Sequence, residues 1–92
     1  FLEAMTEAGV KMGLPQAQAY HLAKATFAGA THLARQSTES PEVLRQRVTS
    51  KGGTTYAALT SMTDDHVKEA FVKAMLAAQK RAGELGDEFG KD

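Results

Sequence analysis

Residues 48–55, with the sequence Val-Thr-Ser-Lys-Gly-Gly-Thr-Thr, combine two adjacent glycines with hydroxyl side chains immediately before a helical pattern. Glycines allow a positive φ and a close approach of the backbone to a ligand. The N–H groups and the dipole of a following helix favour an anion. The segment therefore predicts a cradle for a carboxylate or a phosphate. It fits equally well a glycine that ends one helix and a threonine that caps the next, and both interpretations stay open at this point.

Helical periodicity accounts for the chain ahead of this segment. Apolar residues at helical spacing predict a first helix over about residues 1–12, which Gly13 and Pro15 should end. A second pattern predicts a long central helix that runs to about residue 36. Ser40 is expected to cap a short third helix, with Pro41 in its first turn.

Beyond the glycines, residues 56–62 predict a short fourth helix. Residues 63–65, Thr-Asp-Asp, are expected to cap a long fifth helix, and residues 86–92 are expected to form a polar, frayed tail. Because no segment alternates with the period of two that is typical of strands, we predict an all-α bundle of about five helices.

Composition limits the classes of function that the chain can have. Its 92 residues are 42% hydrophobic, which predicts one small domain over residues 1–92. Eleven basic and eleven acidic residues are scattered singly, so we expect no nucleic-acid partner. No apolar run approaches the roughly 20 residues of a membrane span. The chain has no cysteine, and we expect a cytoplasmic protein. It begins in mid-pattern at Phe1, so we expect it to be part of a longer protein.

The predicted helices are rich in alanine, which leaves a shallow core within one chain. We therefore expect a second copy to cover part of the apolar surface. The four methionines, Met5, Met12, Met62 and Met75, are interpreted as core filler.

Other chemistry finds little support in the sequence. His21 and His32 lie on one predicted helix about 16 Å apart, too far to share a metal ion, and His66 stands beside capping acids, so we expect no metal site. The eight glycines never form the G-x-G-x-x-G pattern, so we expect no dinucleotide to bind to this chain. The candidate function therefore lies in the glycine segment.

Taken together, these residues resemble a known family, the C-terminal domain of pyrroline-5-carboxylate reductases. The resemblance covers nearly the whole chain, and its pieces are specific in combination although each alone is weak. The matching residues are Glu3, Ala4, residues 7–15, Gly29, Ala30, Ser40, Pro41, Leu44, Arg45, residues 48–50, residues 52–55, Arg81, Glu84 and Leu85.

The resemblance implies a helical domain of the kind found at the C-terminus of 6-phosphogluconate dehydrogenase. In that family the domain interlocks with its partner to form a homodimer, which in some members builds a larger ring. An N-terminal Rossmann domain binds NADPH or NADH. We therefore expect this chain to hold no cofactor and to be inactive without such a domain.

The resemblance also implies which residues bind the substrate. The loop that holds the carboxylate of 1-pyrroline-5-carboxylate, through hydroxyl and backbone N–H donors, is matched by Ser50, Gly52, Gly53, Thr54 and Thr55. Thr55 also matches a threonine whose hydroxyl lies near the ring nitrogen, and it is the candidate catalytic residue. The reaction implied is reduction of this cyclic imine to L-proline.

Lys51 departs from the family pattern, which usually has proline at this position. Lysine frees φ and places a cation near the predicted carboxylate site.

A purely structural dimerisation module, in which the glycines form only a turn, is the main alternative function. A free-standing anion-binding regulator is a third, if the native gene begins near Phe1.

Overall fold

The computed structural model describes residues 1–89, and all of their regular structure is helical. This confirms the predicted all-α class with five helices. They are α1 (Leu2–Lys11), α2 (Gln16–Arg35), α3 (Pro41–Arg47), α4 (Thr54–Asp64) and α5 (Val67–Phe89). The chain forms two compact units, the first over Phe1–Gln46 and the second from Arg47 onward.

A glycine ends α1 in the manner that the sequence predicts. Gly13 has φ +105°, its N–H donates to the Val10 carbonyl at 3.0 Å, and the Leu14 N–H donates to the Gly9 carbonyl at 3.1 Å. This pair of bonds is the Schellman motif, which satisfies carbonyls that the end of a helix leaves open. The chain then reverses, and α2 begins directly after Pro15.

Small residues allow α1 and α2 to pack closely within the first unit. Ala19 and Ala23 are the buried hydrophobic residues of the described chain. A β-carbon added to Gly9 would lie 2.9 Å from that of Ala19, closer than real β-carbons approach. Because Gly9 has only a hydrogen atom in place of a side chain, α1 and α2 can pack as closely as they do.

We expect Gly9→Ala to destabilise the protein, since the Ala19 β-carbon that the new methyl group would meet is attached directly to the backbone and cannot rotate away. Separating the helices should cost about 1–3 kcal/mol, more than alanine gains in helix propensity. Urea unfolding of both variants compares this with Gly83→Ala on α5, where an added β-carbon meets nothing within 4 Å of the same chain. Equal midpoints for the two variants would contradict the close crossing.

The predicted cap of α3 is present, because the Val43 N–H donates to Ser40 Oγ at 3.2 Å. The apolar residues Val43, Leu44 and Val48 predict a helix that reaches Val48, but it ends one residue earlier, at Arg47. Val48 lies beyond the last helical residue, and its side chain is 65% exposed.

In the second unit, the helix boundaries differ from those predicted. Residues 63–65 do not cap α5, because α4 continues to Asp64 and the Asp65 N–H donates to the Ser61 carbonyl at 3.1 Å. The break comes at His66, which adopts the left-handed region with φ +54°. The His66 carbonyl accepts the Ala70 N–H at 3.0 Å and so opens α5. At the other end, α5 includes residues 86–89, where fraying is predicted; residues 90–92 lie outside the described part of the chain.

Most large apolar side chains remain exposed in the single chain. The interpretation of the four methionines as core filler is wrong for the single chain, in which they are 38–81% exposed. Amphipathic helices with alanine on their packed faces leave the longer side chains outside the contacts. On α5 the exposed apolar residues are Phe71, Val72, Met75 and Leu76. None of the described helices is long and apolar enough to cross a membrane.

Candidate functional site

The two glycines form a tight turn rather than the end of a helix. The Gly53 N–H donates to the Ser50 carbonyl at 3.0 Å, which closes a four-residue β-turn. Gly52, its third residue, has φ +78°, whereas Lys51 is not among the residues with a positive φ. A positive φ at the third position alone defines a type II turn and favours glycine there.

Gly53 then serves as the N-cap of α4, with φ −84° and ψ −179°. The interpretation of a threonine as the cap is therefore wrong: Thr54 and Thr55 are the first two residues of the helix. Gly53 itself has no side chain that could cap this end. Since the first N–H groups of an α-helix have no acceptor within it, those of Thr54 and Thr55 are oriented outward as donors.

Gly52 is favoured because of its positive φ, whereas Gly53 is favoured because the space beside it is already filled. A β-carbon on Gly53 would collide with Ser50 Oγ and would lie 3.2 Å from the Ser50 carbonyl oxygen. The Ser50 hydroxyl therefore lies directly over Gly53, at the start of α4. The turn brings the hydroxyl of Ser50 and the N-terminal N–H groups of α4 to one place.

All five predicted site residues thus belong to one continuous turn and helix start. Gly53 and Thr55 are half-buried, whereas Ser50, Gly52 and Thr54 are exposed. Hydroxyl and N–H donors in this arrangement can bind a small oxyanion, and the dipole of α4 adds to the attraction. No general acid or base is among them.

The histidines lie outside this turn. His66 Nδ1 is 3.9 Å from Glu69 Oε2, and both side chains are exposed. Within residues 1–89, no group of three or more histidine, aspartate or glutamate side chains could hold a metal ion.

A groove between α1 and α2 in the first unit was not evident from the sequence. It encloses about 1110 Å³, and Leu2, Val10 and Tyr20 contribute apolar surface, with Glu3 and Glu7 beside them. Because it is formed by ordinary helical spacing, no motif signals it.

An all-α chain whose helices expose apolar faces is typical of helical interaction domains. Comparison with known proteins is more specific: the model of the family described as "Pyrroline-5-carboxylate reductase dimerisation" matches residues 1–85. The chain belongs to this family.

Individual relatives agree with this assignment. The chain is 39% identical over 89 residues to "Pyrroline-5-carboxylate reductase 2" of Bacillus subtilis, covering 97% of this chain and 32% of the relative. It is 42% identical over 84 residues to "Pyrroline-5-carboxylate reductase" of Corynebacterium melassecola, covering 91% and 31%. With "Pyrroline-5-carboxylate reductase 3" of Danio rerio, the identity is 36% over all 92 residues, or 32% of the relative. The chain thus spans about a third of the length of these relatives.

Proposed function

We propose that this chain is the dimerisation and substrate-binding domain of an enzyme that reduces 1-pyrroline-5-carboxylate to L-proline with NADPH or NADH. The match of residues 1–85 to the dimerisation family carries the proposal. A single domain over residues 1–92 and a cytoplasmic location stay predictions from the sequence.

In this proposal, the turn binds the substrate carboxylate. The N–H groups of Gly53, Thr54 and Thr55 are candidate donors, although that of Gly53 is shared with the Ser50 carbonyl. Ser50 adds a hydroxyl, and Gly52 provides the positive φ that the turn needs. Donors to a carboxylate form charge-assisted hydrogen bonds, which are stronger than neutral ones.

Thr55 is the proposed catalytic residue. Its hydroxyl can both donate and accept, so it can hydrogen-bond the ring nitrogen while that nitrogen changes its protonation. When the turn holds the carboxylate of the substrate, the position of the C=N carbon of the same small molecule is also fixed. Binding energy is thereby used to orient the carbon that accepts the hydride. The residues of this chain therefore act by positioning.

The nicotinamide cofactor supplies the hydride in such a reaction. The residues of this chain do not fit a dinucleotide, because the glycine-rich fingerprint for its pyrophosphate does not occur in the sequence. We propose that another domain of the enzyme binds it, and that these 92 residues alone are inactive.

The proposed partner is a second copy of the chain, in a homodimer. A larger ring would require further surfaces of the dimer to pair. Support comes from the apolar side chains on α5, of which Val72 is 48%, Met75 51% and Leu76 58% exposed. Apolar surface of this extent on one helix costs free energy in water. The same observation favours the alternative of a purely structural dimerisation module.

An activity assay separates the two functions. The enzyme that contains this chain is mixed with 1-pyrroline-5-carboxylate and either NADPH or NADH, and both nicotinamide absorbance and L-proline are measured. Proline formation with oxidation of one cofactor is the expected result. A folded, dimeric protein that forms no proline with either cofactor would support the structural module instead.

A double-mutant cycle tests whether the turn acts as a unit. In the enzyme, Gly53→Ala should displace the Ser50 hydroxyl and raise the KM for the imine by about tenfold, similar to Ser50→Ala. Since both changes remove the same contact, the double variant should be little worse than either single one. Fully additive effects would show that Gly53 does not act through Ser50.

A further inference from the structure

Charges are unevenly distributed along the sequence on either side of the turn. Between Glu42 and Asp64 the sequence has three basic residues, Arg45, Arg47 and Lys51, and no acidic one. The remaining residues comprise eight basic and eleven acidic side chains. A chain with zero net charge therefore has a cationic segment that includes its candidate site.

Lys51 is the basic residue that belongs to the turn itself. It occupies the second position, between Ser50 and Gly52, and is exposed. It enters no ion pair among residues 1–89. Asp64 lies at the opposite end of α4, about 15 Å along the helix at 1.5 Å per residue. Lys51 belongs to the turn itself and therefore acts on a ligand there at a shorter distance than the acids that end α4 do.

We infer that Lys51 attracts the anionic substrate to the turn and so raises kcat/KM, without contacting the reacting atoms. The inference rests on the proposed function. Backbone N–H groups act on a carboxylate only at hydrogen-bond distance, whereas a full charge acts across several ångströms of water. The turn provides the final contacts, and Lys51 increases the local concentration of the substrate.

The test uses the enzyme that contains this chain, with three substitutions at one position. Lys51→Gln removes the charge, Lys51→Arg keeps it, and Lys51→Pro removes it while favouring the second position of a type II turn. Lys68→Gln is the matched control, because Lys68 is an exposed lysine of the same unit beyond the far end of α4. The initial rate of 1-pyrroline-5-carboxylate reduction is measured at about 10 mM and 500 mM salt.

At low salt, Lys51→Gln and Lys51→Pro should both lower kcat/KM by about threefold, whereas Lys51→Arg and Lys68→Gln should not. At 500 mM salt, kcat/KM of Lys51→Gln and Lys51→Pro should equal that of the unsubstituted enzyme. A loss in Lys51→Gln that persists at 500 mM salt, or no loss at 10 mM, would overturn the inference while leaving the reductase activity established. If the unsubstituted enzyme does not reduce the imine, the proposed function fails and this inference with it.

Discussion

Thr55→Ala in the enzyme is expected to lower kcat for imine reduction by about ten- to a hundredfold, while the dimer stays intact. The half-buried side chain occupies the first turn of α4, directly beside the N–H donors of the site. Removing its hydroxyl leaves the carboxylate donors in place but takes away the group proposed to bond the ring nitrogen. Loss of one preorganised donor from an oxyanion hole costs about a hundred- to a thousandfold in kcat, and we expect less here because the ring nitrogen carries less developing charge than an oxyanion.

Two matched variants make this expectation specific. Thr55→Ser keeps a hydroxyl and should retain most of the activity. Thr60→Ala removes a threonine hydroxyl from the exposed part of the same helix and should leave kcat unchanged. Equal rates for Thr55→Ala and the unsubstituted enzyme, measured by nicotinamide absorbance, would remove Thr55 from the mechanism.

The second large effect is expected at the apolar surface of α5. Val72→Glu combined with Met75→Glu should weaken the proposed homodimer by about a thousandfold or more. Each side chain contributes apolar area, and an isologous interface places every substitution in it twice. Burying unpaired carboxylates adds a further cost. Analytical ultracentrifugation over a concentration series measures the dissociation constant.

The control for this experiment places the same charges elsewhere on α5. Lys73 and Lys80 are exposed, and helical spacing places them together on a face of α5 that is rotated by roughly 80–160° from Val72 and Met75. Replacing both with glutamate should leave the dimer intact. If this control dissociates equally, or if neither variant does, α5 is not the interface.

Much of the fold could be predicted because local signals agree with it. The glycine at position 13, the proline at 15 and the serine at 40 mark helix ends through backbone rules that need no distant contact. The end of α4 could not be predicted in this way. His66 takes a positive φ, which non-glycine residues rarely adopt, and Thr63 and Asp64 fit a helix end as well as a cap.

The residues of the candidate site could be proposed as a set from the sequence, but the geometry of the turn that holds them could not be predicted. The glycines and hydroxyls are visible in the sequence, whereas the assignment of Gly53 as N-cap depends on the type II turn that precedes it. Burial was the least predictable property. Periodicity indicates which side chains share a face, yet Met12 is 81% and Met75 51% exposed in the single chain.

The small core has a consequence for how stability is measured. Since Ala19 and Ala23 are the buried hydrophobic residues of the described chain, one copy alone gains little from folding. If the homodimer forms as proposed, folding and association become one equilibrium, and the Tm rises with protein concentration. Melting curves taken at a single concentration would then not rank variants of this protein by their intrinsic stability.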